Sequence, residues 1–360
     1  MTMISEPIKI LNSTKPVNLS AFGESSMQSF VATLGWPRYR AIQILRWLYQ
    51  KRLHAISEMT DLSLSNREQL RSVAMISRAT GVRIREALDG TKKFLLDLED
   101  GAQVESVLIP EGDRLTLCVS TQVGCTLDCT FCLTGTMGLT RNLRAHEIVE
   151  QVLAVQDRLS DTSRLTSLVF MGMGEPLANF EDVSAAIERL TNKEWGLGIS
   201  PRRMTLSTAG LAPRLKDVAS LGVNLAISLN ATTNAQRDRV MPTINRLHPL
   251  ADLLQACRAF PLKPGRRITF EYVLLSGIND SLEDARRLPR LLNGIRCKIN
   301  LIPFNEFQGN VYKRPHEHVI ERFQEVLQRS GFDVFIRKSR GDDVLGACGQ
   351  LGVLPTGTRG

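Results

Sequence analysis

The chain has 360 residues, 43% of them hydrophobic and 23% charged, which suffices for an ordinary packed core in one large domain plus a small one. No window approaches 18 uninterrupted apolar residues, and the first residues lack a basic stretch followed by an apolar core, so neither a membrane span nor a secretory leader is expected and a cytoplasmic location is. Lys and Arg exceed Asp and Glu to give a net charge of +8, which suits a polyanionic partner and equally a plain basic enzyme.

Residues 1–20 show no periodicity and are expected to be flexible. Residues 21–91 read as a small helical domain, with 25–90 helical throughout. The clearest helix is RYRAIQILRWLYQKRL (38–53), where Ile42, Leu45 and Tyr49 share a face and Arg38, Arg40, Arg46, Lys51 and Arg52 surround it. Its Tyr39, Trp47 and Tyr49 are either core or a surface on which unpaired bases stack.

From residue 92 the pattern turns to strands. KFLLDLED, QVESVLI and LTLCVS form a β lead-in. Strands then alternate with helices: strands at 115–119, 166–171, 203–207, 223–228, 267–273 and 297–302, helices at 145–158, 181–192, 211–220, 249–260, 281–292 and 317–329. Six such units predict an α/β fold, a partial (β/α)6 barrel too short to close. The core is expected over 92–343, and 344–360 form a C-terminal tail or strap. Chemistry in such folds lies at the C-terminal strand ends.

Seven cysteines, an odd number, argue against a disulfide framework. Three of them, Cys125, Cys129 and Cys132, form Cys-x3-Cys-x2-Cys directly after the first barrel strand. Thiolates are the preferred ligands of iron–sulfur clusters, and three on one loop can hold three irons of a 4Fe–4S cubane. The fourth iron is then open to a small chelator such as S-adenosyl-L-methionine (SAM). A zinc site remains an alternative, with Cys118 as the nearest fourth thiol. The spacing resembles the radical SAM superfamily.

The other strand ends carry small polar groups. MGMGEPL follows the second strand, and its Gly174 and Glu175 resemble the superfamily's segment at the methionyl end of SAM. TLSTAG presents Ser207, ISLNAT presents Ser228, Leu229 and Asn230, and NLIPFN presents Asn305. Each alone reads as a turn former; together they suit the ribose, adenine and carboxylate of SAM.

Cys257 and Cys297 fit small buried hydrophobes. Cys348 does not. It lies among Gly346, Ala347 and Gly349 with Arg337, Lys338 and Arg340 just upstream, a setting expected to favour a thiolate.

RAIQILRWLY, QVESVLIP, LCVSTQVGC, CTFC, RNLRAHEI, MGMGEPL, LSTAG, SLNAT, RDRVMP, LIPFN and RGDDVLGACGQL occur in that order over residues 35–352. The set resembles the RlmN-type dual-specificity RNA methyltransferases. The resemblance implies methylation of adenosine C2 in 23S rRNA and in tRNA, beside the anticodon, with two SAM molecules per turnover and a one-electron donor of flavodoxin type. It implies Cys348 as methyl carrier and Cys118 as the thiol that releases product by forming a disulfide. Glu105 or Cys118 would take the C2 proton. Two rivals are a C8-adenine 23S rRNA methyltransferase conferring antibiotic resistance and a non-catalytic RNA-binding Fe–S protein.

Overall fold

The computed structural model describes residues 15–160 and 164–352. The first elements are β1 (Val17–Asn18) and the helices α1 (Glu24–Thr33), α2 (Tyr39–Tyr49) and α3 (Leu64–Val73). In α2 the residues Ala41, Ile44, Leu45 and Leu48 recur at helical spacing and are buried. Tyr49 is buried too, 5.7 Å from the Trp195 ring centre, and Trp47 donates to Asp61, whereas Tyr39 is 57% exposed. Of the three aromatics, Tyr49 is therefore core.

The N-terminal expectation needs correction. Residues 1–14 lie outside the described residues, but Val17 and Asn18 pair in parallel with β2 (Ala74–Met75), and Leu19 is fully buried. The helical reading of 25–90 also fails at its end. Residues Gly81–Glu86 form β3, because Val82 and Ile84 alternate with Arg83 and Arg85 at the two-residue period of a strand.

Strands β4 (Lys92–Asp97), β5 (Gln103–Glu111) and β6 (Arg114–Cys118) continue antiparallel from β3. A short hairpin, β7 (Gln122–Gly124) and β8 (Leu139–Asn142), brackets a one-turn helix α4 (Leu133–Thr136). Then come α5 (Ala145–Gln156), β9 (Ser167–Phe170), α6 (Phe180–Thr191), β10 (Met204–Thr208), α7 (Leu215–Leu221) and β11 (Asn224–Ser228). Helices α8 (Asn234–Val240), α9 (Pro242–Leu247) and α10 (Leu250–Ala259) lead to β12 (Ile268–Leu274), α11 (Leu282–Leu291), β13 (Cys297–Pro303), α12 (Glu317–Arg329) and β14 (Val334–Ile336).

These strands make one sheet of ten, ordered β14-β13-β12-β11-β10-β9-β6-β5-β4-β3. The run from β6 through β9 to β14 is parallel, so the six expected β/α units are present and a seventh strand, β14, closes the series. Neither β3 nor β14 pairs further, which leaves the barrel open.

Side chains alternate across a strand, so the registers sort them by face. One face carries Leu117, Leu168, Phe170, Leu206, Ile227, Phe270 and Leu301, all buried in the continuous core beneath the helices. The other carries Lys93, Glu105, Cys118, Ser207, Ser228, Glu271 and Asn300. The inner face of the barrel is thus polar, and that is where the expected site residues lie.

Gln151 on α5 ties the lead-in to the first barrel strand. Its Oε1 accepts from Ser106 Oγ and from the Ser120 amide, each at 2.7 Å, and its Nε2 donates to the Ser120 carbonyl at 2.9 Å. Gln151→Leu leaves these buried groups unpartnered and is expected to cost roughly 2–4 kcal/mol of stability, read from the urea midpoint.

Candidate active site

Cys125, Cys129 and Cys132 occupy the loop between β7 and α4. Gly124 makes its turn possible. Its φ is +78°, and a Cβ there would lie 1.9 Å from the Gly138 carbonyl oxygen. The amide of Cys125 donates to that carbonyl at 3.0 Å, and the Cys132 amide donates to the Cys129 carbonyl at 3.0 Å. Leu127, Phe131, Val240, Met241, Ile244, Leu275 and Phe304 form an apolar shell against which the three thiols pack.

That shell sets their chemistry. Burial pushes the Cys125 thiol up to about 12, raises Cys129 well above its ordinary value and raises Cys132 as well. Three such thiols ionise together only when a cation replaces their protons, as a thiolate-ligated iron does. Among the described residues, no three His, Cys, Asp or Glu side chains gather closely enough to hold a single metal ion. Cys118 packs elsewhere, with Val107, Met173 and Leu351, so it does not complete a tetrahedral zinc site. Three thiols spread over one loop in an apolar shell fit the corners of a cubane.

Gly174 and Glu175 follow β9. Gly174 has φ +100°, and a Cβ would meet Gln122 Cβ at 2.5 Å. Glu175 is buried. Its Oε1 accepts from the Leu177 amide at 3.0 Å and its Oε2 from the Ala209 amide at 2.8 Å. Burial raises its pKa, and these backbone donors oppose the rise. The Gln122 side chain, not expected from the sequence, organises this corner: Oε1 accepts from the amides of Glu175 and Thr126, and Nε2 donates to Thr126 and Asn142.

Ser207 and Ser228 lie half-buried on the inner face. Asn230 differs. With φ +55° it is fully engaged, its Oδ1 accepting from the Val273 amide at 2.8 Å and its Nδ2 directed at Met241 Sδ. Leu229 is fully buried, its amide donating to the Glu271 carbonyl at 3.0 Å. Asn305 is buried and holds the tail: its Nδ2 donates to the Cys348 carbonyl at 3.0 Å and its Oδ1 accepts from Ser339 Oγ.

The tail is strapped into the mouth. The Leu133 amide donates to the Gly349 carbonyl at 2.7 Å, and Thr134 Oγ1 donates to the Leu351 carbonyl at 2.6 Å. The Gly352 amide donates to Glu105 Oε2 at 2.8 Å. Glu105 is buried, not an exposed strand carboxylate, and its Oε1 lies 2.8 Å from Lys93 Nζ. Lys93 also donates to the Leu345 carbonyl at 3.2 Å.

Cys348 and Cys118, 230 residues apart in sequence, come within electrostatic reach of each other, both as free thiols. Burial, and then the neighbouring Cys348, raises the Cys118 pKa strongly. Cys348 is an exposed residue, yet the protein around its sulfur takes some of its water away. This partial loss of water, followed by the Glu271 carboxylate, raises its thiol pKa. The expected thiolate-favouring effect of the upstream basic residues is therefore corrected: Arg337 acts on the sulfur but is outweighed. Cys257 is buried in α10 and Cys297 is half-buried in β13, and burial pushes each up to about 12.

An open β/α barrel with a three-cysteine loop after its first parallel strand defines the radical SAM class. Residues 119–288 match the model of the Radical SAM superfamily, which binds a 4Fe–4S cluster and SAM. Residues 17–76 match the ribosomal RNA large subunit methyltransferase N-terminal domain. The chain is 51% identical over 336 residues to a dual-specificity RNA methyltransferase RlmN of Geobacter sulfurreducens, covering 93% of this chain and 92% of the relative. It is 48% identical to the RlmN of Geotalea uraniireducens, covering 93% and 96%. A radical SAM methyltransferase structure from Sphaerobacter thermophilus superimposes with a TM-score of 0.88 at 41% identity, covering 93% of this chain and 99% of that one. The chain belongs to the RlmN family of radical SAM methyltransferases.

Two outcomes follow from the thiol geometry. Ala at Cys125, Cys129 or Cys132 should abolish iron loading after anaerobic reconstitution, whereas Ala at Cys118 or Cys348 should leave iron per chain unchanged. In the reduced protein, alkylation of Cys348 by iodoacetamide should be slow at neutral pH and rise only above the range of an ordinary thiol, because a raised pKa leaves less thiolate. Glu271→Gln, which removes a neighbouring negative charge, should shift that rate profile to lower pH.

Proposed function

We propose that this chain methylates C2 of a specific adenosine in 23S rRNA and of the adenosine 3′ of the anticodon in tRNA, through a methyl group carried on Cys348. The observation that carries this reading is the tail strapped over the inner face, which brings Cys348 within electrostatic reach of Cys118, both outside the three-cysteine loop. A protein that only bound RNA would have no use for that pair. The relatives' printed activity, dual-specificity RNA methylation, supports the substrate class.

C2 of adenine lies between two ring nitrogens, is electron-poor and has no lone pair with which to attack a sulfonium methyl. A carrier and a radical route avoid this difficulty. Cys125, Cys129 and Cys132 are assigned to the cluster. Gly174, Glu175, Ser207, Ser228, Leu229, Asn230 and Asn305 are assigned to SAM, with Asn230 and Leu229 contributing through the backbone they shape. The bound cluster supplies the electron that splits SAM and so gives radical chemistry at this mouth.

The protein groups divide the remaining work. Cys348 sulfur accepts a methyl group from one SAM, losing its proton, and a second SAM is consumed in activating that methyl. Glu105 Oε2, oriented by Gly352 and charge-balanced by Lys93, takes the C2 proton. Cys118 sulfur, losing its proton, then attacks Cys348 sulfur; the carbon–sulfur bond breaks, the freed carbon takes a proton to become the methyl group, the one surplus electron would pass back to the bound cluster, and a Cys118–Cys348 disulfide is left. An external dithiol reductant reopens it. A one-electron donor of flavodoxin type feeds the cluster, and the reaction takes place in the cytoplasm. Among the described residues, no helix is long and apolar enough to cross a membrane.

The domain around α1–α3 (residues 21–91) is assigned to RNA, residues 92–343 to the catalytic core and 344–360 to the carrier tail. Exposed Tyr39, with the Arg40 guanidinium 5.1 Å from its ring centre, offers a stacking surface and a phosphate partner.

Mass spectrometry of adenosines from rRNA and tRNA, with and without the gene, should show C2-methyladenosine only when the gene is present. Cys348→Ala should abolish this methylation while cluster loading and SAM binding persist. Methylation at C8 in place of C2, or a Cys348→Ala protein that still methylates RNA, would overturn the assignment.

A further inference from the structure

One row of side chains crosses four strands on the inner face. Ser228, Glu271, Asn300 and Phe335 are successive register partners on β11, β12, β13 and β14. Neighbouring strands lie about 4.8 Å apart, so the row runs about 14 Å from the strand end given to SAM out to the open edge of the barrel.

Phe335 ends the row. Its strand neighbours Val334 and Ile336 point the other way, into the core under α12, while Phe335 itself is 51% exposed. An exposed aromatic on a free edge strand is a liability for association unless it serves a ligand. Lys298 Nζ lies 5.9 Å from its ring centre. Arg337 is exposed next in line, and its charge is felt by both Glu271 and Cys348.

The middle of the row is polar and directed. Asn300 Nδ2 donates to Glu271 Oε1 at 2.9 Å. That bond fixes the amide so that Asn300 Oδ1 is an acceptor, and Glu271 Oε2 is a second. Neither receives a hydrogen bond from the described residues. Glu271 is only 7% exposed, and its unused oxygen is left open to a donor.

A ring open to stacking, two inward acceptors, one cation beside the ring and a second two residues further along the chain match one kind of ligand, an unstacked nucleotide with an exocyclic amine and a phosphate. We propose that this row seats the target adenosine of the RNA. Phe335 stacks on the extruded base, Glu271 and Asn300 accept from its N6 amine, and Lys298 and Arg337 face its phosphate. This rests on the RNA-methylation reading above.

The grip also bears on which carbon is methylated. In adenine, C2 lies across the six-membered ring from the edge formed by N6 and N7, whereas C8 adjoins N7. Holding the N6 edge at Glu271 and Asn300 leaves C2 on the side of the ring away from the grip. C8 would lie beside the grip. The row thus serves as a specificity element for C2.

The test uses the full-length, cluster-loaded protein and a fluorescent RNA hairpin bearing the target adenosine, with binding read by anisotropy. Phe335→Ala should weaken binding roughly ten- to a hundredfold, the scale of a lost base–aromatic stack, and Phe335→Tyr should restore it. A hairpin with an abasic site at the target position should bind wild type and Phe335→Ala alike, which a general folding defect would not produce. Asn300→Ala should weaken binding of the adenosine hairpin more than of one carrying purine riboside, which lacks N6.

Equal binding of the adenosine hairpin by wild type and Phe335→Ala overturns the proposal. So does a loss of SAM affinity in Phe335→Ala that matches the loss for RNA, since the row would then belong to SAM. Because the readout is binding, a wild-type protein that binds the hairpin without methylating it would refute the methyltransferase reading and leave this one standing on the Phe335→Ala result.

Discussion

The Gly349 carbonyl accepts a hydrogen bond from the Leu133 amide at 2.7 Å, and the arrangement of the mouth depends on this contact. Leu133 directly follows Cys132, so the tail is fastened to the loop that holds the cluster ligands. Thr134 to Leu351 repeats the fastening from the same helix, and Gly352 to Glu105 and Asn305 to Cys348 repeat it from two further elements. A mobile tail would present its sulfur at low effective concentration. Four short hydrogen bonds from α4, β5 and the segment after β13 hold it where a carrier must stand, between the cluster loop and the expected base. Leu345, at φ +53°, and Gly341, whose Cβ would meet Thr91 Cγ2 at 2.7 Å, show how tightly the strap is bent to get there.

The polar inner face is costly to build. Glu105, Glu175 and Glu271 are all buried. Their partners differ: Glu105 has Lys93, Glu175 two backbone amides, and Glu271 the Asn300 amide on one oxygen only. A buried ion pair such as Lys93–Glu105 is weak support for stability, because desolvation of both charges offsets their attraction. An apolar pair would serve the fold as well. Its retention beside the tail makes sense if the carboxylate must stay in place and accept a proton there. The same low-polarity setting keeps Cys118 and Cys348 as thiols, so that neither sulfur is a freely available nucleophile before a cationic reactant enters the mouth.

Much of this was legible in the sequence because it is written in period and spacing. The six β/α units follow from apolar runs of strand length alternating with amphipathic helices, and the observed ends fall within a few residues of those expected. What escaped lacked a periodic signal. β14 is three residues long, and β3 has two apolar residues among charged ones. β1 is held by a two-residue pairing with a partner far along the chain. Within the site, the cysteine loop and the strand-end residues were visible as motifs. Lys93, Gln122 and Glu271 were not, because a single polar residue in a strand looks the same whether it faces solvent or a barrel interior. Asn230 was visible as a strand-end residue, but not that its side chain supports a left-handed turn by accepting from the Val273 amide. The effect of Arg337 on Cys348 was overestimated because sequence shows the nearby charge and hides the crowding around the sulfur.

The open edge gives these parts a common purpose. A closed eight-stranded barrel fills its interior with layers of its own side chains and leaves no room for a nucleobase. Here the parallel run stops at β14, and the antiparallel strands β5 to β3 carry the sheet round without joining it. One margin of the sheet bears Phe335 on β14 with Lys298 beside it on β13 and Arg337 just beyond, and the other bears Arg83 and Arg85 on β3. Positive charge on both margins draws in a polyanion, and the polar floor between them can hold a base that has left its stack. A small soluble metabolite would need no such gap. An adenosine still attached to its RNA on both sides does, since the strand has to remain outside while one base goes in.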